Sequence, residues 1–136
     1  MRRLLFRAQR VIAAGPAYPS RLNYAGAMPE NLTEFRADVE RTPTGPVVRL
    51  VGELDLGTAA GFAGTADPLV AAEVTLTVDL TDLAFCDSAG VTALVRLRKA
   101  CDRTGGRLVV TNPPAQVRYV LEVNGLLEYL DVRPPA

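Results

Sequence analysis

Val74-Thr-Leu-Thr-Val-Asp-Leu80, then Thr81-Asp-Leu-Ala-Phe-Cys-Asp-Ser-Ala-Gly90, then Val91-Thr-Ala-Leu-Val-Arg-Leu-Arg-Lys99 decide the fold of this chain. The first piece is apolar at alternate positions and rich in β-branched residues, the period of a strand with one buried face. From Ser88 to about Arg103 the period changes. Val91, Leu94 and Val95 follow helical spacing and Leu97 widens the apolar stripe, while Arg96, Lys99 and Arg103 lie outside it. Thr104-Gly-Gly106 stops that helix and Arg107-Leu-Val-Val-Thr111 starts another strand. Strand, helix and strand at this spacing predict a parallel pair joined by a right-handed crossover.

The same reading extends outward. Upstream, Phe35, Ala37 and Val39 alternate with Arg36, Asp38 and Glu40, and Val47-Val-Arg-Leu-Val-Gly52 forms a second run beyond the turn Thr42-Pro-Thr-Gly-Pro46. Two adjacent strands joined by a short Pro/Gly turn predict an antiparallel hairpin. Leu56 to Ala72 reads as a weak helix, because Gly57, Gly61, Gly64 and Pro68 all lower helix stability, with a break near Asp67-Pro68. Downstream, Pro113-Pro114 marks a helix start, Val117, Val120 and Leu121 give that helix an apolar face, and Tyr129-Leu-Asp-Val132 reads as a short edge strand. The predicted order is ββαβαβαβ. This is an α/β domain with a mixed sheet of four to five strands, mostly parallel with one antiparallel strand, and helices packed against it.

Length and composition agree with one domain. The chain has 136 residues, 49% hydrophobic and 22% charged, which suits a single globular core. It holds no histidine, which removes Ser-His-Asp and Cys-His catalysis and every His-containing zinc site. Cys86 and Cys101 are too few for a four-thiolate metal site or a disulfide scaffold, so a reducing cytoplasm is the expected setting. The 15 basic and 15 acidic residues balance overall but not locally. Residues 1–27 hold Arg2, Arg3, Arg7, Arg10 and Arg21 and no acid, leaving ten basic against 15 acidic residues in 28–136, a net of −5. Such a domain repels nucleic acid phosphates, so no direct nucleic acid partner is expected. No apolar run approaches the roughly 20 residues of a membrane span. Residues 1–33, rich in Arg, Pro and Gly, read as a disordered extension before a domain at 34–136. The change of composition at Met28 raises translation from that residue, which intact-mass measurement decides.

Chemistry in an open α/β sheet gathers where strands end and helices begin. Two junctions stand out, Gly52-Glu-Leu-Asp55 followed by Thr58, and Phe85-Cys-Asp-Ser-Ala-Gly90. Ser88 falls where a helix N-cap belongs, its hydroxyl accepting from a first-turn amide. The same place, rich in unpaired N–H groups, also tolerates a phosphoryl group. Ala89 and Gly90 leave the Ser88 hydroxyl open, and no activating base accompanies it, since Lys99 lies about three turns along the helix. Ser88 therefore reads either as structural punctuation or as a substrate of another protein's active site. Asp55 and Asp87 read as solvated caps. As a pair they would bind Mg²⁺ or act as acid and base, but no third ligand or phosphate loop accompanies them. Neither an enzyme nor a cofactor-binding protein is expected.

Gly52-Glu-Leu-Asp55, Val78-Asp-Leu-Thr-Asp-Leu-Ala-Phe-Cys-Asp-Ser-Ala-Gly-Val91 and Gly105-Gly-Arg-Leu-Val109 resemble, in order and spacing, the STAS domain of bacterial anti-sigma factor antagonists, over about Phe35 to Val132. The resemblance implies a phosphorylation switch in the regulation of sigma-factor-dependent transcription and of stress responses. Ser88 matches the serine phosphorylated by an anti-sigma factor kinase, Asp87 the acidic residue before it and Asp55 the acidic residue ending the second strand. The implied partner surface comprises Asp55, Thr58, Asp87, Ser88, Ala89, Gly90 and Thr92. Unphosphorylated, such a domain binds the anti-sigma factor; phosphorylation ends binding and a serine phosphatase restores it, with ATP and Mg²⁺ held by the kinase. A homodimer is compatible with this reading. Two departures stand out: Ala89 replaces a second hydroxyl residue common in the family, and the helix after Asp55 is Gly-rich and broken. STAS domains also serve lipid and anion transport complexes, which leaves a docking subunit, never phosphorylated, as the alternative.

Overall fold

A computed structural model describes residues 34–134, together with the backbone of residues 6–7. The elements are β1 (Phe6–Arg7), β2 (Arg36–Thr42), β3 (Gly45–Leu54), α1 (Ala59–Ala66), a 3-10 turn (Asp67–Leu69), β4 (Thr75–Cys86), α2 (Ser88–Thr104), β5 (Arg107–Thr111), α3 (Ala115–Val123) and β6 (Val132–Arg133). From β2 onward this is the predicted order, ββαβαβαβ. The rest of the N-terminal extension, including the expected disorder over 1–33 and the start at Met28, lies outside the described residues.

The strands lie side by side in sequence order. β2 is antiparallel to β3, and β3, β4, β5 and β6 are mutually parallel. Three successive right-handed crossovers in one direction put every connecting helix on the same face of a sheet. The core bears this out. Ala37, Val39, Val48, Leu50, Leu76, Val78, Leu80, Leu108 and Val110 from alternate strand positions form one cluster with Phe62 and Ala66 of α1, Leu94, Leu97 and Cys101 of α2, and Val117 and Leu121 of α3. The intervening strand residues point to the opposite face, which no helix covers among the described residues.

Local chemistry sets the helix bounds. α1 is short, for the reason its glycines suggested, and Pro68 sits at the start of the 3-10 turn that replaces its continuation. α2 ends at Gly105, whose φ of 85° is the left-handed conformation favoured by glycine, and the Gly106 N–H donates to the Cys101 carbonyl at 2.9 Å.

Two strands differ from expectation. β4 continues past Leu80 to Cys86, because β3 also continues to Leu54 and pairs with it through two register shifts, between Arg49 and Val51 and between Gly52 and Glu53. Gly52, at φ 102°, makes the second shift possible; a Cβ there would sit 3.1 Å from the Phe35 Cα. The last strand covers Val132–Arg133 in place of Tyr129–Val132. Arg98 of α2 lies 4.4 Å over the Tyr129 ring and donates to the Tyr129 carbonyl, which holds the backbone there in a turn.

On the helix-free face one row of register partners crosses the sheet as Asp38, Arg49, Asp79, Thr111 and Arg133. Arg49 bridges Asp79 at 2.7 Å and Glu40 at 2.6 Å. Asp79 also accepts from the Thr81 hydroxyl at 2.6 Å, the Thr81 amide at 3.0 Å and Asn112 at 3.3 Å. Burial acts to raise the Asp79 pKa, but the Thr81 and Asn112 hydrogen bonds and the Arg49 charge outweigh it and hold the carboxyl below its ordinary value. A lowered folded pKa contributes stability above the unfolded value, and that contribution is lost as pH falls through the folded one. Urea titrations across the acid range should therefore show stability falling below about pH 4. The fall should be shallower in Asp79→Asn; an unchanged slope would assign the acid sensitivity to other carboxylates.

Candidate functional site

The two junctions singled out in the sequence meet at one tip of the sheet. Leu54, the last residue of β3, is the register partner of Cys86, the last residue of β4, and the Asp87 N–H donates to the Leu54 carbonyl at 3.2 Å. Asp55 and Asp87 thus leave adjacent strand ends side by side.

Each turn is built around its own carboxylate. Asp87 Oδ1 accepts from the amides of Ala89 at 2.9 Å and Gly90 at 3.0 Å, so Asp87 caps α2. The expectation that Ser88 is the N-cap is corrected: Ser88 is the first helical residue. Both residue types cap well. Asp87 takes the role because β4 runs to Cys86, leaving residue 87 as the one extended position before the helix. Asp55 Oδ1 accepts from the amides of Gly57 at 2.9 Å and Thr58 at 3.2 Å, closing the turn into α1. The Thr58 hydroxyl donates to the Glu53 carbonyl at 2.8 Å and accepts from the Asp55 amide at 2.9 Å. Among the described residues no group of three or more metal-ligating side chains gathers anywhere.

The seven residues assigned to a partner surface therefore divide. Ser88 and Thr92 are exposed, and Asp55, Asp87 and Ala89 are half-buried. Thr58 and Gly90 are buried and face inward as supports. A Cβ on Gly90 would lie 2.5 Å from the Leu54 carbonyl oxygen and 2.8 Å from the Cys86 Sγ, so glycine there lets α2 sit directly on the strand ends. No hydrogen bond ties the Ser88 hydroxyl among the described residues.

Two residues outside the seven expected in the partner surface also belong to this tip. Leu56, 75% exposed, directly follows Asp55, and Phe85, 44% exposed, lies three positions before Ser88. Large apolar side chains displayed beside a polar site are the usual anchors of an interface. Leu56 carries no signal of this in the sequence, since it continues the alternation of Leu50 and Leu54 one step past the end of β3, whereas Phe85 stands out as a large apolar residue next to the buried Cys86 at the end of β4.

Burial, with the charges of Asp87 and Asp55 adding to it, pushes the Cys86 thiol up to about 12. The thiolate is the reactive form. At neutral pH a maleimide should leave Cys86 and the equally buried Cys101 unlabelled in the native protein and label both in denaturant. Native labelling at Cys86 would mean that the tip opens.

The comparisons with known proteins agree with this fold. A family model described as "Mlab, STAS domain" matches residues 37–131. No curated protein matches the chain. Among solved structures, an anti-sigma factor antagonist from Mycobacterium paratuberculosis superposes with a TM-score of 0.67 at 23% identity, covering 75% of this chain and 87% of that one. The unphosphorylated form of the anti-sigma factor antagonist SpoIIAA, a Bacillus cell fate determinant, gives 0.59 at 24% identity, with 74% and 88% covered. A sulfate transporter family protein from Wolinella succinogenes gives 0.58 at 19% identity, with 68% and 79% covered. No helix is long and apolar enough to cross a membrane among the described residues. With its core strands, both junctions and all three helices inside the matched span, the chain belongs to the STAS domain family.

Proposed function

We propose that this chain is a cytoplasmic anti-sigma factor antagonist controlled at Ser88. The observation that carries the reading is the exposed Ser88 hydroxyl at the first position of α2, beside the Asp87 carboxylate and on the same tip as Asp55, Leu56 and Phe85. Unphosphorylated, this tip binds an anti-sigma factor of the serine-kinase type, with Leu56 and Phe85 as exposed apolar contacts and Ser88 and Thr92 as exposed polar ones. The partner kinase phosphorylates Ser88, the complex separates and a serine phosphatase resets it. In this role the chain is a substrate and a binding module, not an enzyme, and needs no cofactor of its own.

The capping geometry sharpens how phosphate would act. The Ala89 and Gly90 amides, which the sequence reading offered to a phosphoryl group, are already taken by Asp87. A phosphate on Ser88 would therefore project from the surface beside a carboxylate, adding about −1.5 to −2 charges where a partner must approach.

A second reading has its own support, in the likeness to a sulfate transporter family protein and in the family description: a docking subunit of a transport complex using the same tip, without phosphorylation. The two separate on incubation with the cognate anti-sigma kinase and ATP, followed by mass spectrometric mapping. Phosphate on Ser88 is expected. No phosphate, together with co-purification on a membrane transporter, would replace the first reading by the second.

A further inference from the structure

Arg96, Lys99 and Arg103, which lie outside the apolar stripe of α2, are all exposed. At about 100° per residue they fall, together with Ser88 and Thr92, within about 80° of one another. The buried Leu94, Leu97 and Cys101 lie on the far side of the helix. One ridge therefore runs outward along α2, with hydroxyls at its start and cations over the rest. At a rise of about 1.5 Å per residue, Ser88 to Arg96 spans about 12 Å and Arg96 to Arg103 about 10 Å.

Among the described residues nothing neutralises this ridge, since none of the three cations takes part in an ion pair. Asp102, the one acid of α2, is held by the Arg98 Nε at 2.9 and 3.0 Å. Like charges three and four positions apart destabilise a helix. The helix dipole favours Arg103, in the last turn, but does not reach Arg96 and Lys99. The ridge is also opposite in sign to its surroundings. α2 holds four basic residues and one acid, a net of +3, whereas the rest of residues 34–134 holds six basic and thirteen acidic residues, a net of −7.

We propose that this ridge is a second contact for the partner of the Ser88 tip and takes an acidic segment of that protein, with two or three carboxylates set over about 10 Å. The inference rests on the tip being an anti-sigma factor binding surface, and it names the charge that the partner presents beside it. A short acidic segment fits better than a membrane or a nucleic acid. An extended anionic surface would also meet the acidic remainder of the domain and be repelled by it. Charges placed at the rim of an interface speed association and orient the partner.

Lys99 is the chain's one lysine, which makes the test specific. A water-soluble carbodiimide joins an amine to a carboxylate in direct contact with it. In the complex of the unaltered chain with its cognate anti-sigma factor, mass spectrometry should find Lys99 joined to an Asp or Glu of the partner. Arg96→Glu/Lys99→Glu should weaken that complex by roughly tenfold at low salt, mainly through slower association, and flatten its salt dependence. Arg41→Glu/Arg118→Glu makes the same change in net charge at exposed positions elsewhere and should alter affinity by about twofold or less. Equal losses in the two double variants would reduce the effect to net charge, and no loss in the first would show an idle ridge; each overturns the proposal. Lys99 cross-links to a second copy of this chain, or binding to phosphatidylcholine–phosphatidylserine vesicles that the first double variant abolishes, would overturn it as well, in favour of self-association or a membrane. If the unaltered chain does not bind the anti-sigma factor at all, the reading of the tip fails and this inference falls with it. If circular dichroism shows the first double variant unfolded, the cross-link in the unaltered chain decides: its presence sustains the ridge contact, and a complex without it refutes the contact.

Discussion

Gly90→Ala should lower stability by about 2 kcal/mol, a fall of roughly 8–16 °C in the thermal midpoint of a domain this size followed by circular dichroism. The added methyl would meet the Leu54 carbonyl oxygen at 2.5 Å and the Leu54 Cγ at 3.0 Å. Neither moves cheaply. The carbonyl accepts the Asp87 amide that joins the two strand ends, and the Leu54 side chain is fully buried. α2 must therefore shift off the tip, which costs more than the roughly 1 kcal/mol that alanine gains over glycine in a helix. The same change at Gly64 is the control. A Cβ at this exposed position in α1 meets nothing within 4 Å, so Gly64→Ala should stabilise by about 0.5–1 kcal/mol. Equal effects at the two glycines would refute the packing argument.

Under the proposed function, Ser88→Asp should leave the thermal midpoint nearly unchanged and weaken anti-sigma factor binding by roughly a hundredfold, whereas Ser88→Ala should bind like the unmodified protein. Stability is spared because Ser88 is exposed and the α2 cap belongs to Asp87. Binding would suffer because a second carboxylate beside Asp87 would have to be desolvated in the proposed interface. Like-charge juxtaposition and unpaired buried charge cost several kcal/mol, and about 1.4 kcal/mol is already tenfold. Calorimetric titration with the cognate anti-sigma factor measures the difference. Equal affinity of the two variants would remove charge at Ser88 as the control.

Much of this architecture could be read from residue patterns. The alternation in 74–80, the apolar stripe Val91, Leu94 and Leu97, and the Gly105-Gly106 stop each appear where expected, because a local signal and a tertiary contact agree at each place. The reading failed where tertiary context overrode the local pattern. β4 reaches Cys86 although alternation lapses after Leu80, since β3 offers a neighbour that far. Tyr129 and Leu130 look like strand residues, but Arg98, distant in sequence, holds the Tyr129 carbonyl. At the tip, residue types located the site without distinguishing support from surface. Thr58 looks like a contact and acts as a buried strut, while Leu56 looks like a helix residue and stands in solvent. Which of two adjacent capping residues closes α2 depended on where the preceding strand ended, information that the pair Asp87-Ser88 does not contain.

Since each strand from β2 onward hydrogen-bonds to the one made just before it, the chain is suited to assembly during synthesis. Every newly emerged strand finds its neighbour already in place, and no pairing waits for a remote segment. Loop-closure entropy is then met in small instalments, which favours fast folding and brief exposure of unpaired edges on the ribosome. The Leu54–Cys86 junction closes once β4 has emerged, well before β5 and α3 are translated.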